Sequence, residues 1–96
     1  MKSYTVIDNA EAKRFEIREE GHIAFEDYEL FDGGIAYTHT EVPPELGGRG
    51  IASFLIKYIL DDAAAKGLKV KPVCPLVRAY IAKHPEYQAN TVPYQP

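Results

Sequence analysis

The chain has only one cysteine, no excess of positive charge and no long apolar run. A single cysteine cannot form an internal disulfide, which indicates a reducing compartment. The N-terminal sequence MKSYTVIDNAEAKR is too polar for a signal peptide or a membrane anchor. The formal net charge of −3 provides no basic excess that would suggest nucleic acid as a ligand. These absences predict a soluble cytoplasmic protein.

Internal repeats, linkers and low-complexity segments are absent from the sequence as well. The 96 residues are 46% hydrophobic and 11% aromatic, which is enough for one core but not for two. We therefore predict one domain over residues 1–96. Its last residues, about 89–96, are rich in proline and glutamine, and we expect them to form a loosely ordered tail.

The first half of the chain has the alternating pattern of β-strands. We predict strands over YTVID (4–8), KRFEIR (13–18), HIAFEDYEL (22–30) and GIAYTHTEV (34–42). The apolar positions of the third strand change parity between Phe25 and Tyr28, which predicts a bulge near Glu26-Asp27. The sequence Asp32-Gly33-Gly34 is a tight-turn signal, so these strands are expected to form an antiparallel meander.

The second half changes to a helical period. The apolar stripe of a helix packed on a sheet is formed by Ile51, Phe54, Leu55, Tyr58 and Ile59. Gly67 ends this helix, LKVKPV (68–73) follows as a strand, and a second helix starts after Cys74-Pro75 and runs to about Lys83. The fold class is therefore mixed α/β, with a meander followed by a βαβα unit.

Three glycines within four residues separate the last long strand from the first helix, in the stretch EVPPELGGRGIASFL (41–55). Small residues let main-chain N–H groups approach a ligand closely, and a helix N-terminus favours an anion. Phosphate or pyrophosphate is the expected ligand. A plain glycine turn between two elements is the alternative.

Two common phosphate-binding motifs do not match this stretch. A P-loop requires Lys-Ser or Lys-Thr after its glycines, and neither pair follows Gly50. The pattern Gly48-x-Gly50-x-x-Ser53 half fits a dinucleotide fingerprint, but the positions about twenty residues later, 69–71, hold no acidic residue.

The same stretch resembles the acetyl-CoA-binding segment of the GNAT superfamily of N-acetyltransferases. In that family a strand ending in V-x-P leads into R/Q-x-x-G-x-G/A and a helix. Here Val42-Pro43-Pro44 precedes Gly47-Gly48-Arg49-Gly50-Ile51-Ala52, with Gly47 where Arg or Gln is usual. The stretches HTEVPPEL, VKPVCPLVRAYI and HPEY also resemble the small single-domain members of the family. The likeness covers about residues 5–88, and the resemblance implies a GNAT-like fold with two splayed strands in its sheet.

The resemblance implies acetyl-CoA as cosubstrate and no metal. The pyrophosphate would lie on the loop amides, and main-chain groups near Val42 would hold the pantetheine arm between the splayed strands. Arg49 is either a phosphate contact or a solvated loop cation. The expected cofactor-binding residues are Val42, Gly47, Gly48, Arg49, Gly50, Ile51 and Ala52.

Four residues are candidates for the chemistry of acetyl transfer. His39 and Glu41 share one strand parity and could serve as base or proton relay, or be a structural histidine and a surface carboxylate. Cys74 precedes a helix start, where the helix dipole favours a thiolate. Three interpretations remain open: a nucleophile, a neighbour of the CoA sulfur, or a core cysteine. Tyr80 lies near the position where many members of the family have a tyrosine that protonates the CoA thiolate; the alternative is a core aromatic.

The resemblance thus implies an acetyl-CoA-dependent N-acetyltransferase acting on a primary amine. The chain has no room for the longer helical segment that forms much of the acceptor site in larger GNAT enzymes. The acceptor is therefore expected to be a small amine, a peptide N-terminus or a protein side chain bound in an open site. A non-catalytic CoA-binding or partner-binding module is the alternative. We expect a monomer or a weak homodimer.

Overall fold

A computed structural model of the chain describes residues 3–93, which form a five-stranded sheet with two α-helices. The strands are β1 (Ile7–Asn9), β2 (Arg14–Glu19), β3 (His22–Phe31), β4 (Gly34–Glu41) and β5 (Lys69–Pro72). The helices are α1 (Ile51–Ala65) and α2 (Pro75–Lys83), with short 3₁₀ helices at Pro44–Leu46 and Pro85–Asn90. No helix within the described residues is long and apolar enough to cross a membrane.

The strands lie in the sheet in the order of the sequence. Strands β1 to β4 pair antiparallel with their neighbours, and β5 pairs parallel with β4 after the crossover through α1. This topology confirms the predicted meander, the βαβα unit and the mixed α/β class.

The parallel pairing of β4 with β5 stops before β4 ends. It runs from Gly34 opposite Lys69 to Tyr37 opposite Pro72, whereas β4 continues to Glu41. The last link is the Cys74 amide, which donates to the Tyr37 carbonyl at 2.9 Å. Beyond it the two chains separate, and this opening between the end of β4 and the start of α2 is called the splay gap below.

The bulge lies at the predicted position along β3, but its extra residue belongs to the neighbouring strand β4. Asp27 pairs with His39 and Tyr28 pairs with Tyr37, so Thr38 of β4 is the inserted residue. The prediction of a bulge near Glu26-Asp27 is therefore confirmed in its position along β3, where the pairing with β4 shifts between Asp27 and Tyr28. Strand β3 keeps its alternation, and a carboxylic acid, Glu26, occupies one of its interior positions.

One core joins the sheet to both helices. Tyr37 is fully buried in it, and its hydroxyl donates a hydrogen bond to the Ile59 carbonyl of α1 at 2.7 Å. The other buried apolar side chains of this cluster come from β2 to β5, both helices and the loops; among them are Phe15, Ile17, Ala24, Tyr28, Ile35, Leu46, Ile51, Leu55, Ile59, Val70, Val77 and Ile81.

The predicted loose tail is wrong for residues 89–93. The Val92 amide donates to the Val70 carbonyl at 2.8 Å, and Asn90 Nδ2 donates to the Leu68 carbonyl at 2.7 Å. Strand β5 would otherwise expose an unpaired edge on this side, and the chain near Thr91 covers it. The sequence near the C-terminus does not reveal this partner because it lies far away along the chain. The final residues of the predicted tail, 94–96, lie outside the described residues.

We expect Tyr37→Phe to lower the free energy of unfolding by about 1 kcal/mol, the net worth of a typical buried hydrogen bond. Tyr58→Phe is the matched control, because Tyr58 is 42% exposed, whereas Tyr37 is fully buried. Urea denaturation of both variants measures the difference. Equal stability of the two variants would show that the bond to Ile59 does not contribute.

Candidate active site

The glycine loop before α1 uses a backbone conformation that other residues rarely adopt. Gly48 and Gly50 have φ angles of 74° and 72°, in the left-handed region. A Cβ atom built at either position would meet no heavy atom within 4 Å. Glycine is therefore required here by the backbone dihedral and not by crowding, and a side chain at Gly50 would project into open space at the helix start.

The loop leaves amide donors at the N-terminus of α1. Gly50 is the N-cap residue, and the first helical bond runs from the Phe54 amide to the Gly50 carbonyl at 3.0 Å. The preceding amides, of residues 51–53, have no acceptor within a helix that starts at Ile51. Together with the dipole of a 15-residue helix, these donors favour a bound anion.

A cleft of about 270 Å³ opens in front of these amides. We call it the loop cleft; it is lined by Val42, Pro43, Pro44, Leu46, Gly47, Gly48, Gly50, Ile51, Ala52 and Ser53. All of the predicted cofactor-binding residues except Arg49 therefore line one cavity. Its donors and small side chains fit a diphosphate group, and it lies where β4 leads into the loop.

Arg49 faces away from the loop cleft. Its guanidinium forms an ion pair with Glu20 and also donates to the Glu45 carbonyl at 3.3 Å. The side chain lines a neighbouring cavity of about 330 Å³, together with Tyr4, Phe54 and other residues of α1 and α2. The ion pair with Glu20 is compatible with the solvated loop cation that the sequence left open.

Cys74 lies at the closed end of the splay gap. It is the N-cap residue of α2 and is only 2% exposed. Its sulfur is 3.1 Å from the hydroxyl oxygen of Thr40, which projects from β4 across the gap. The thiol is therefore packed in the core and is also hydrogen-bonded to the strand that forms the other wall of the gap.

Thr40 connects Cys74 to a buried acid that the sequence analysis did not identify. The Thr40 hydroxyl donates a hydrogen bond to Glu26 Oε1, and Glu26 is fully buried. Burial raises the pKa of Glu26 to about 7, against the opposing effect of the bond from Thr40. Its interior position could have been found from the parity of Ala24, Glu26 and Tyr28, which alternate along β3.

His39 and Glu41 form a separate pair on the opposite face of the sheet. Both side chains are about half exposed, and His39 Nε2 lies 2.9 Å from Glu41 Oε1. The hydrogen bond to Glu41 raises the pKa of His39, because the carboxylate stabilises the imidazolium. The shared parity predicted for the two residues is confirmed. They do not share a face with Thr40, since consecutive side chains of a strand point to opposite sides of the sheet.

Tyr80 is half-buried beside both helices and packs against the hydrophobic core. Its ring stacks on His84 with centroids 4.1 Å apart, and burial raises the pKa of its hydroxyl. It lines two cavities with residues of α1, and within the described chain Cys74 and His39 line neither of them. The structure thus places the four candidate residues in three different places.

The match to a family model decides the identity of the fold. The model described as GCN5-related N-acetyl-transferase matches residues 14–90, which include strands β2 to β5, the glycine loop and both helices. The chain belongs to this family of N-acetyltransferases. The family membership confirms the resemblance drawn from Val42 to Ala52 and from the stretches downstream of it.

Individual relatives agree with this assignment. The chain is 40% identical over 47 residues to Protein NATD1 of Gallus gallus and of Mus musculus, a match that covers 49% of this chain and 43% of each relative. The match therefore spans less than half the length of these relatives. The solution structure of a GCN5-like protein from Staphylococcus aureus superimposes with a TM-score of 0.71 at 26% identity, covering 99% of this chain and 94% of that one.

We expect Glu41→Gln to lower the pKa of His39 toward that of a free imidazole, because the variant removes the carboxylate that stabilises the imidazolium. Titration of the His39 ring signals by NMR measures the change. Glu29→Gln serves as control, since Glu29 is an exposed carboxylate elsewhere on β3. An unchanged His39 titration in Glu41→Gln would contradict the pairing.

Proposed function

We propose that this protein transfers the acetyl group of acetyl-CoA to a primary amine. The observation that carries the proposal is the continuity of two features. The loop cleft, with its free amides, adjoins the splay gap, and the gap ends at the thiol of Cys74. This arrangement would place the diphosphate of acetyl-CoA at one end and its reactive thioester at the other.

The residues present fit this cosubstrate. Amides of Gly48 to Ala52 would hold the pyrophosphate, and the edge of β4 near Val42, which β5 leaves unpaired, would hold the pantetheine amides as an added strand. Bound acetyl-CoA supplies an activated acetyl group; the chain's own groups position it, exclude water and move protons.

Transfer forms a bond between the amine nitrogen and the thioester carbonyl carbon, and it breaks the bond from that carbon to the CoA sulfur. The amine loses a proton, and the departing thiolate gains one. His39 suits the role of base because Glu41 makes its ring a stronger proton acceptor and because both side chains are open to solvent. We assign Tyr80 no step, since within the described chain Cys74 and His39 line neither of its cavities.

Cys74 supports either of two routes. The thiol accepts the acetyl group and passes it to the amine, or it lines the end of the gap while the amine attacks directly. Both routes require the thioester to reach the same end of the splay gap. The acceptor amine, on a small molecule or on a peptide, approaches from the sheet face that carries His39 and Glu41.

We expect acetyl-CoA to raise the melting temperature of the protein, because a ligand that binds only the folded state adds about 2.7 kcal/mol at one hundred times its dissociation constant. Gly50→Val should abolish this shift, since a branched side chain at the helix start blocks the loop cleft. Arg49→Ala should reduce it only slightly, because the guanidinium is engaged by Glu20.

Gly67→Val is the matched control for Gly50→Val. Gly67 lies just after the other end of α1 and has a φ angle of 69°, close to the 72° of Gly50. The two variants therefore carry a similar backbone strain, and only one obstructs the cleft. If both variants, shown to be folded, gave the same shift with acetyl-CoA, the glycine loop would not be the phosphate site.

A further inference from the structure

A buried carboxyl group lies one hydroxyl away from the thiol of Cys74. We infer that Glu26 is the proton acceptor of the Cys74 thiol and that the Thr40 hydroxyl passes the proton between them. Glu26 and Thr40 lie opposite each other on paired strands, and Cys74 completes the row from the start of α2. The inference rests on the proposed function only for the use made of the thiolate.

All three members of this row are buried. Glu26 is fully buried, Thr40 is 8% exposed and Cys74 is 2% exposed. Glu26 Oε1 accepts the hydrogen bond from Thr40, whereas Oε2 is buried without a hydrogen-bond partner among residues 3–93. A buried carboxylate with an unsatisfied oxygen is costly, and the cost disappears when the group takes up a proton.

The hydroxyl of Thr40 couples the two ends because it has a single proton to donate. When Glu26 is charged, Thr40 donates to it and can only accept from the Cys74 thiol. When the sulfur instead carries the negative charge, neutral Glu26 donates to Thr40, and Thr40 in turn donates to the thiolate. The two hydrogen-bond directions therefore correspond to one negative charge on either the carboxylate or the sulfur.

The groups around Glu26 leave its protonation finely balanced. Asp27 on the same strand raises the pKa of Glu26, and His39 across on β4 lowers it. Tyr37 of β4 is buried, which raises the pKa of its hydroxyl and keeps it neutral, and Phe15 lies opposite on β2. With burial as the largest influence, the pKa of about 7 lets Glu26 exchange a proton near neutral pH.

The step conserves atoms and charge. The S–H bond of Cys74 breaks as its proton passes to the Thr40 oxygen, the Thr40 proton passes to Glu26, and an O–H bond forms on Glu26. The result is a thiolate at the closed end of the splay gap, with the negative charge of the carboxylate moved onto sulfur. The return step restores the thiol, so Glu26 could both activate the sulfur and reprotonate it.

The test is the pH dependence of thiolate formation in the protein without acetyl-CoA. Cys74 is the only cysteine of the sequence, so thiolate absorbance and the rate of alkylation by iodoacetamide both report on it alone. In the wild type we expect the thiolate absorbance and the alkylation rate to rise near neutral pH and then to reach a plateau, since carboxyl and thiol share one charge. Glu26→Gln should remove this rise and slow alkylation at neutral pH by about tenfold, equivalent to one pH unit.

Two variants of Thr40 separate the relay from a structural role. Thr40→Val removes the hydroxyl, so the rise in thiolate absorbance near neutral pH should disappear, as in Glu26→Gln. Thr40→Ser keeps the hydroxyl, so this rise should remain. A purely structural role would change melting temperature but leave the pH profile of the thiol unchanged in all variants.

Two results would overturn the inference. One is a wild-type thiol that titrates in a single step at alkaline pH, an outcome that needs no variant to fold. The other is an unchanged profile in folded Glu26→Gln. Acetyl-CoA is absent from these samples, so a thiol profile that contradicts the relay does not affect the thermal-shift test of the proposed function. In the same way, the absence of a thermal shift with acetyl-CoA leaves the pH profile of the thiol interpretable.

Discussion

The parallel pairing of β4 with β5 ends at Tyr37 and Pro72, and the geometry of the site depends on that point. Proline has no amide to extend the ladder, and the next donor, the Val73 amide, turns back to the Lys71 carbonyl. The Cys74 amide makes the last contact with β4, and α2 then leads the chain away. Strand β4 continues without β5 toward the glycine loop, so its unpaired edge leads from the neighbourhood of Cys74 to the N-terminus of α1.

The extra residue in β4 decides which side chains face that opening. Because Thr38 is inserted, Tyr37 and Thr40 both point to the helix side, although they are three residues apart. His39 and Glu41 are turned to the solvent side. The bulge thus brings Thr40 to the same side as Tyr37, and the alternation that follows it leaves His39 and Glu41 exposed.

The periodicity of the sequence was sufficient for the elements and the glycine loop. The apolar residues between Ile51 and Ile59 recur at helical spacing. Gly48 and Gly50 indicate a left-handed backbone conformation, which the structure has at both residues. The periodicity was insufficient for Glu26, because a carboxylic acid at an interior strand position does not stand out as part of the apolar face. The docking of Thr91 on Val70 and the ion pair of Arg49 with Glu20 also escaped prediction, since each joins residues distant in sequence.

The central claim is that acetyl-CoA occupies the loop cleft and the splay gap together. Backbone amide NMR of the labelled protein, titrated with acetyl-CoA, tests it most directly. We expect the largest shifts at the amides of residues 48–53 and along residues 40–42, with a smaller change at Cys74. Shifts confined to the outer cavity bordered by Leu30, Phe31 and Lys71, or no shifts at all, would contradict it.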